Sequence, residues 1–168
     1  MVNALARLKN AAVLVVGDMV ADVYLDGTIS RISREAPVLV LEQRTERVVA
    51  GGAANVANNA ATLGGRSYAA GVCGTDAGGD ALCSVLGENG VDTTGFVRDA
   101  AHPTITKTRI IAGGRATVSQ QIVRVDREWH APLTAETEEA LLARIRTLLP
   151  QVRGVVLSDY GSGTVTAR

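Results

Sequence analysis

The sequence has few of the features that mark secreted or membrane proteins. Its only two cysteines, Cys73 and Cys83, do not form a C-x-x-C pair. A reduced, cytoplasmic protein is therefore the favoured interpretation, and a disulfide between the two is the less favoured alternative. The longest apolar run, residues 11–16, is too short to cross a bilayer, and the N-terminus lacks the apolar segment of a signal peptide. We expect a cytoplasmic protein with no membrane partner.

Charge and motifs exclude further classes. The 17 basic residues balance the 17 acidic ones, so no basic excess predicts a nucleic-acid partner. No P-loop occurs, no G-x-G-x-x-G follows the first predicted strand, and Ser158 is not in a G-x-S-x-G elbow. His102 and His130 lack metal-ligand spacing to a cysteine or to each other, so we expect surface loop positions and no metal site. Trp129, the only tryptophan, is expected to pack rather than to stack on a ligand.

Strand and helix patterns alternate along the chain, with two interruptions. Short apolar runs predict buried parallel strands, and alanine content, caps and charge placement predict helices between them. Two longer stretches alternate partly in polarity and predict antiparallel strands, with Gly113-Gly114 as a hairpin signal. The predicted strands are 11–18, 66–74 and 154–159, the helices 53–63, 76–90 and 134–149, and the antiparallel stretches 23–52 and 104–128. This order predicts an α/β parallel sheet with a small β flap.

The last predicted strand has too little sequence after it. It ends at Asp159, and only "YGSGTVTAR" follows. A parallel strand needs a crossover connection of about a dozen residues or more before its neighbour can form. We therefore expect the sequence to stop within a fold.

Three aspartates follow predicted parallel strands, and they are the first candidates for a site. Asp18 and Asp22 follow the first strand, and Asp159 ends the last one. Ligands of open parallel sheets bind beyond the carboxyl ends of the strands, and carboxylates suit ligands that are rich in hydroxyl groups. The alternative is that Asp18 and Asp159 only cap the turns that follow them.

The stretch "AGGAANVANNAATLGG", residues 50–65, fits the same crevice. Gly51 and Gly52 allow a ligand to approach the backbone, and the helix that follows has unpaired N–H groups in its first turn. Asn55 adds both a donor and an acceptor. The alternative is an ordinary tight turn from strand to helix.

This stretch resembles the first signature of the ribokinase-like (PfkB-type) carbohydrate kinases. Every position of that pattern is matched, by Gly51, Gly52, Ala53, Asn55, Ala57, Gly64 and Gly74. The segments "HPTITKTRII", "QQIVRVDRE" and "VVLSDYGSG" are similar to the heptose-7-phosphate kinase domains of bifunctional ADP-heptose synthesis proteins. The resemblance runs from about Ala11 to the last residue.

The resemblance implies a fold and a set of roles. The fold is a ribokinase-like parallel-sheet sandwich with an antiparallel β lid, and residues 1–168 are the N-terminal portion of one kinase domain with lid segments at about 23–50 and 104–128. The implied activity is ATP-dependent phosphorylation of a sugar or sugar phosphate, with a homodimer formed through the lid. The implied sugar-binding residues are Asp22, Gly51, Gly52 and Asn55, and Lys107 and Arg124 resemble cations placed for the substrate's phosphate. The alternative for these two cations is that they are solvated charges on an edge strand.

The sequence departs from the family's pattern in three places. Ser162 stands where heptose kinases have a lysine, and Val23 replaces a cation in the first loop. The family's second signature, a D-T-x-G-A-G-D-like segment with the catalytic aspartate, does not occur. The resemblance therefore implies ATP and Mg in the complete protein, but no catalytic residue and no cofactor site in this chain. The competing hypotheses are a sugar-binding or dimerisation fragment and half of a split kinase completed by another chain.

Overall fold

The computed structural model describes Lys9, residues 11–113 and residues 118–166, and its strands form two four-stranded sheets. The first is parallel, in the order β5-β4-β1-β8. Its strands are β1 (Ala12–Gly17), β4 (Arg66–Gly74), β5 (Val91–Asp99) and β8 (Gly154–Ser158). The second, in the order β3-β2-β6-β7, is mixed, because β2 pairs in parallel with β6 while both outer pairs are antiparallel. Its strands are β2 (Met19–Ile32), β3 (Leu39–Gly51), β6 (Ile105–Gly113) and β7 (Gln120–Arg127).

Within the described ranges, three helices cover the parallel sheet, and local signals explain where each begins or ends. They are α1 (Gly52–Thr62), α2 (Ala77–Glu88) and α3 (Ala135–Leu148), the last followed by a short 3₁₀ turn, Leu149–Gln151. Gly64 follows α1 with a φ of 88°, which favours glycine after a helix. The Asp76 side chain caps α2 and the Thr134 side chain caps α3, each accepting a backbone N–H three residues on.

The core lies on both faces of the parallel sheet. On one face Val15 packs with α1 and α2 through a cluster that includes Ala53, Leu82 and Leu86. On the other face Leu14 packs with α3. Successive residues of β1 thus point into different clusters, as the alternation of side chains along a strand requires. Among the described residues there is no helix with the length and apolar character needed to span a bilayer.

Most of the predicted elements are confirmed, and three expectations are corrected. The strand β5 was not predicted, because "VDTTGFVRD" has no continuous apolar run. The strand β8 was predicted as buried, which is wrong: Val155 is 45% exposed and Leu157 66% exposed, because within the described chain only β1 lies beside it. Residues 23–52, predicted as antiparallel strands, form two long strands that pair with each other. The hairpin predicted at Gly113-Gly114 is not tested, because Gly114 lies outside the described residues.

The third correction concerns His102, which is buried although a surface position was expected. Its Nδ1 lies 2.9 Å from Asp99 Oδ2, and its ring packs on Trp129, with 4.6 Å between ring centroids. The Thr137 hydroxyl also donates to Asp99, at 2.7 Å. The Thr137 hydrogen bond and the His102 contact lower the pKa of Asp99. This cluster joins the connection before β6 to the connection after β7. The predictions that Trp129 packs and that His130 is exposed are confirmed.

Candidate functional site

A cavity of about 320 Å³ opens where the mixed sheet meets the start of α1. Five of the six predicted substrate-binding residues line it, namely Asp22, Gly51, Gly52, Asn55 and Lys107. The remaining lining residues are Val20, Arg109 and Tyr160. Asp22 and Arg109, 87 positions apart in the sequence, are thus brought together beyond the carboxyl end of β1, where ligands of parallel sheets bind.

The glycine pair is required by two close approaches. A Cβ atom on Gly51 would lie 2.8 Å from the carboxyl carbon of Asp22. A Cβ atom on Gly52 would lie 2.6 Å from the backbone oxygen of Asp18, and the φ of Gly52 is 52°. Glycine at both positions therefore lets the Asp22 carboxylate lie against the backbone at the start of α1.

Asp22 is held from the mixed sheet by Arg109. The Arg109 Nη1 atom donates to Asp22 Oδ1 at 2.6 Å, and both side chains are about four-fifths buried, with exposures of 22% and 18%. The hydrogen bond with Asp22 raises the pKa of Arg109. The guanidinium also lies 5.4 Å from the ring centre of Tyr24. These contacts place one carboxylate oxygen of Asp22 on Arg109 while the side chain still lines the cavity.

Lys107 lies beside Asp22 in the sheet and is paired with two acids, Asp126 on β7 and Glu128 directly after it. Its Cα is the partner of Asp22 in the β2–β6 register and of Asp126 in the β6–β7 register. The Nζ atom donates to Glu128 and lies 3.4 Å from Asp126 Oδ2. The hydrogen bond with Glu128 raises the pKa of Lys107. An anion that enters the cavity would meet a lysine with carboxylate partners already in place.

Arg124, the other predicted phosphate ligand, is not among the residues that line the cavity. It is the cross-strand partner of Arg109, so it lies on the same face of the mixed sheet. Its guanidinium makes two hydrogen bonds to the Asp126 carboxylate, at 2.8 and 2.9 Å, and its side chain is 47% exposed. Arg124 contributes to the charge of this face from outside the cavity.

Asp18 and Asp159 organise the loop after β8 and do not line the cavity. The Asp18 side chain is buried, and its oxygens accept the backbone N–H groups of Tyr160, Ser162 and Thr164 at 2.8 to 3.2 Å. Asp159 accepts the N–H of Gly161 at 2.8 Å. The geometry thus favours the turn-capping alternative for both. Ser162, which stands where the related kinases have lysine, is buried in this loop.

Two lining residues, Arg109 and Tyr160, were missed by the sequence analysis. Arg109 lies two residues after Lys107, and the period of two along a strand places both side chains on one face, so this signal was available. Tyr160 is 63% exposed and reaches the cavity through the loop that Asp18 holds, a long-range contact that no local pattern encodes.

The cavity offers one carboxylate, one amide and two cations, which suits a polar ligand with hydroxyl groups and an anionic group. No group of three or more His, Cys, Asp or Glu side chains in the described ranges is arranged to hold a cation.

Comparison with known proteins identifies the family and the fold. A family model described as "pfkB family carbohydrate kinase" matches residues 10–157. "Bifunctional protein HldE" of Helicobacter pylori (strain J99) is 45% identical over 153 residues, which are 91% of this chain and 32% of that protein. The protein of the same name from Azorhizobium caulinodans is 42% identical over 163 residues, 96% of this chain and 33% of its own length. The chain thus spans about a third of the length of the curated relatives that it matches.

Solved structures of sugar kinases share the fold. A ribokinase from Arabidopsis thaliana, complexed with ribose and ATP, has a TM-score of 0.54 at 18% identity and covers 88% of this chain and 53% of its own. The 2-dehydro-3-deoxygluconokinase of Thermotoga maritima has a TM-score of 0.56 at 19% identity, covering 88% and 40%. With the matched family model and the curated relatives, these findings show that the chain belongs to the PfkB family of carbohydrate kinases and has a ribokinase-like fold.

Proposed function

We propose that this chain carries the sugar-binding site of an ATP-dependent sugar-phosphate kinase, most similar to D-glycero-D-manno-heptose-7-phosphate 1-kinase. The observation that carries the proposal is the cavity in which Asp22 is hydrogen-bonded to Arg109 beside Lys107. The two curated relatives above, both named bifunctional protein HldE, support the choice of a phosphorylated heptose among sugars. We also propose a cytoplasmic setting and a homodimer formed through the mixed sheet.

The polar groups of the cavity divide between hydroxyl and phosphate recognition. Asp22 accepts hydrogen bonds from sugar hydroxyl groups, and Asn55 can both donate and accept at the exposed start of α1. Arg109 fixes the Asp22 carboxylate, so less side-chain freedom is lost when the sugar binds. Lys107 is the proposed phosphate ligand, and the phosphate would replace part of its contact with Asp126 and Glu128.

Phosphoryl transfer would need groups beyond these. ATP, with Mg, supplies the phosphoryl group in kinases of this kind. The sequence has no D-T-x-G-A-G-D segment to provide the aspartate base that deprotonates the sugar hydroxyl. In the proposed reaction this chain binds and orients the sugar phosphate, and the base and nucleotide site come from elsewhere in the complete protein or from a second chain.

The proposal is tested by calorimetric titration of three variants with heptose 7-phosphate and with unphosphorylated heptose. Asp22→Ala should abolish binding of both ligands while leaving the cooperative unfolding transition in place. Lys107→Ala should weaken binding of the phosphate more than that of the free sugar, by roughly tenfold or more for the loss of one charge-assisted hydrogen bond. Arg124→Ala is the matched control, a cation on the same face outside the cavity, and should change neither affinity by more than about twofold.

Three results would contradict the proposal. Unchanged sugar affinity in Asp22→Ala would remove Asp22 from the site. Equal losses of affinity for both ligands in Lys107→Ala would show that Lys107 acts on the sugar ring or on the lid. Equal losses of affinity in Lys107→Ala and Arg124→Ala would show that both cations act only through the overall charge of this face.

A second candidate is one half of a kinase that a separate chain completes. The edge strand β8 favours it, because Val155, Val156 and Leu157 are exposed on a strand whose outer edge has no neighbour in the described chain. The test is to mix this chain with a polypeptide that carries the D-T-x-G-A-G-D segment of a related kinase. Binding of the two and ATP-dependent phosphorylation of the heptose would support this candidate, and the absence of both would contradict it.

A further inference from the structure

The loop after β8, residues 159–164, is held by a single buried side chain. Asp18 has no exposed surface, and its carboxylate oxygens lie 2.8 to 3.2 Å from three backbone nitrogens of the loop. The N–H groups that it accepts are those of Tyr160, Ser162 and Thr164. The Asp18 carboxylate therefore fixes the course of this loop.

Asp18 also joins the loop to the start of α1. Its backbone oxygen accepts the N–H of Ala53 at 2.9 Å, and its own N–H donates to the backbone oxygen of Ser158 at 3.2 Å. Gly161 and Gly163, with φ values of 80° and 93°, give the loop two left-handed residues that only glycine adopts readily. The end of β8, the loop after it and the start of α1 thus form one hydrogen-bonded unit before any ligand binds.

Tyr160 brings an aromatic ring from this loop to the cavity. It lines the cavity together with Asn55 of α1, and it is 63% exposed, so its ring is available to a ligand. Among the described residues that line the cavity it is the one aromatic, and the three charged ones come from the mixed sheet. The cavity therefore has charged groups from one sheet and an aromatic surface from a loop of the other.

We propose that Tyr160 is a specificity-determining residue that packs its ring against the cyclic form of the sugar, and that Asp18 is the positioning residue that holds it there. The inference rests on the proposed function and deepens it, because it names the ring form of heptose 7-phosphate as the preferred ligand. A phosphate on C7 leaves the C5 hydroxyl free to close a six-membered ring on C1. One face of such a ring carries C–H groups, which suit the electron-rich face of an aromatic side chain.

The polar groups of the cavity do not make this distinction by themselves. Asp22, Asn55 and Lys107 recognise hydroxyl groups and a phosphate, and both the cyclic and the open-chain sugar have them. An open chain has no continuous C–H face, so an aromatic contact favours the ring. Because Asp18 fixes the loop beforehand, less freedom is lost when Tyr160 meets the sugar.

The test is calorimetric titration of the full chain with heptose 7-phosphate and with heptitol 7-phosphate. The heptitol is the reduced form, which has no aldehyde at C1 and cannot close a ring. The unmodified chain should bind heptose 7-phosphate at least about tenfold more tightly than the heptitol, as one aromatic contact allows. Tyr160→Ala should lower the affinity for heptose 7-phosphate by about tenfold and that for the heptitol by less than about twofold.

Two matched variants assign the effect to the aromatic ring. Tyr160→Phe keeps the ring and removes the hydroxyl, so both affinities should stay within about twofold of those of the unmodified chain. Leu157→Ala is the control for an exposed apolar side chain near the same loop. Leu157 is 66% exposed and does not line the cavity, so its replacement should change neither affinity.

The positioning role of Asp18 is tested by a double-mutant cycle. Asp18→Asn, titrated under conditions where urea unfolding shows that it is folded, should lower the affinity for heptose 7-phosphate and not that for the heptitol. Combined with Tyr160→Ala, it should cause no further loss, because Asp18 acts on the ligand through Tyr160. A carboxylate with a structural role alone would leave the affinity of the folded chain unchanged.

The failure of this inference differs from the failure of the proposed function. If the unmodified chain binds heptose 7-phosphate and Tyr160→Ala binds it equally well, the inference is overturned and the sugar site stands. Equal losses for the sugar and the heptitol, or equal losses in Tyr160→Phe and Tyr160→Ala, would also overturn it. Additive losses in the cycle would remove Asp18 from its positioning role. An unmodified chain that binds neither ligand would overturn the proposed function and this inference together.

Discussion

The parallel sheet and the mixed sheet differ in what they bury. Residues of β1 such as Leu14 and Val15 have no exposed surface and pack under helices on both sides. Large apolar residues of the mixed sheet, such as Leu39 and Val125, are 44% and 54% exposed. Three charged side chains of this sheet, Asp22, Lys107 and Arg109, line the cavity. The difference indicates that the parallel sheet supplies the stability of the chain and the mixed sheet supplies most of the cavity's lining.

The largest expected effect compares one substitution in each sheet. Leu14→Ala should lower the free energy of unfolding by about 2–5 kcal/mol, because it leaves a cavity in a fully packed cluster. Leu39→Ala, on a strand exposed to solvent, should change it by no more than about 0.5 kcal/mol. Urea unfolding of both variants checks this, and similar losses would show that the mixed sheet carries as much stability as the parallel one.

Two aspartates that accept backbone N–H groups of the loop after β8 give the next comparison. Asp18→Asn should cost about 1–3 kcal/mol of unfolding free energy, because one of the oxygens that accept three backbone N–H groups becomes a donor. Asp159→Asn should be within about 0.5 kcal/mol, since asparagine can accept the same N–H from Gly161 at an exposed turn. Thermal unfolding distinguishes the two, and an unchanged Asp18→Asn protein would show that this buried carboxylate is not structural.

A glycine at the junction between the sheets can be compared with a glycine in a helix. Gly52→Ala should lower stability by about 1–3 kcal/mol, because the residue has a φ of 52° and a Cβ there meets the Asp18 backbone oxygen. Gly87→Ala, in α2 with nothing within 4 Å of a new Cβ, should raise stability by about 0.5–1 kcal/mol. Denaturant midpoints measure both, and two changes of the same sign would contradict the account of the glycine pair.

The smallest effect depends on pH. The pKa of Asp99 is lowered in the folded chain by the Thr137 hydroxyl and His102, so its contribution to stability is present above the unfolded pKa of about 3.9 and is lost as pH falls through the folded value. Asp99→Asn should therefore flatten the fall in stability below about pH 4, and Thr137→Val should move that fall to higher pH. Unfolding free energies measured across the acid range check this, and acid limbs identical to that of the unmodified chain would contradict it.

Local signals in the sequence accounted for most elements and for five of the cavity's residues. Thr134 marks a helix start by capping, and the glycine pair and Asn55 match a long family pattern. The exposure of β8 could not be predicted, because an apolar run does not reveal whether a second strand will lie beside it. The burial of His102 was missed for a similar reason: its ring packs on Trp129, which lies after β7 and meets His102 only in the fold.

Calorimetric titration of the unmodified 168-residue chain with heptose 7-phosphate, and then with Mg-ATP, tests the central claim most directly. We expect the sugar phosphate to bind without nucleotide and Mg-ATP alone to give no binding heat, because described residues of this chain build the cavity, whereas the D-T-x-G-A-G-D segment does not occur in the sequence. A chain that unfolds cooperatively but binds no sugar phosphate would contradict it, as would one that binds Mg-ATP alone.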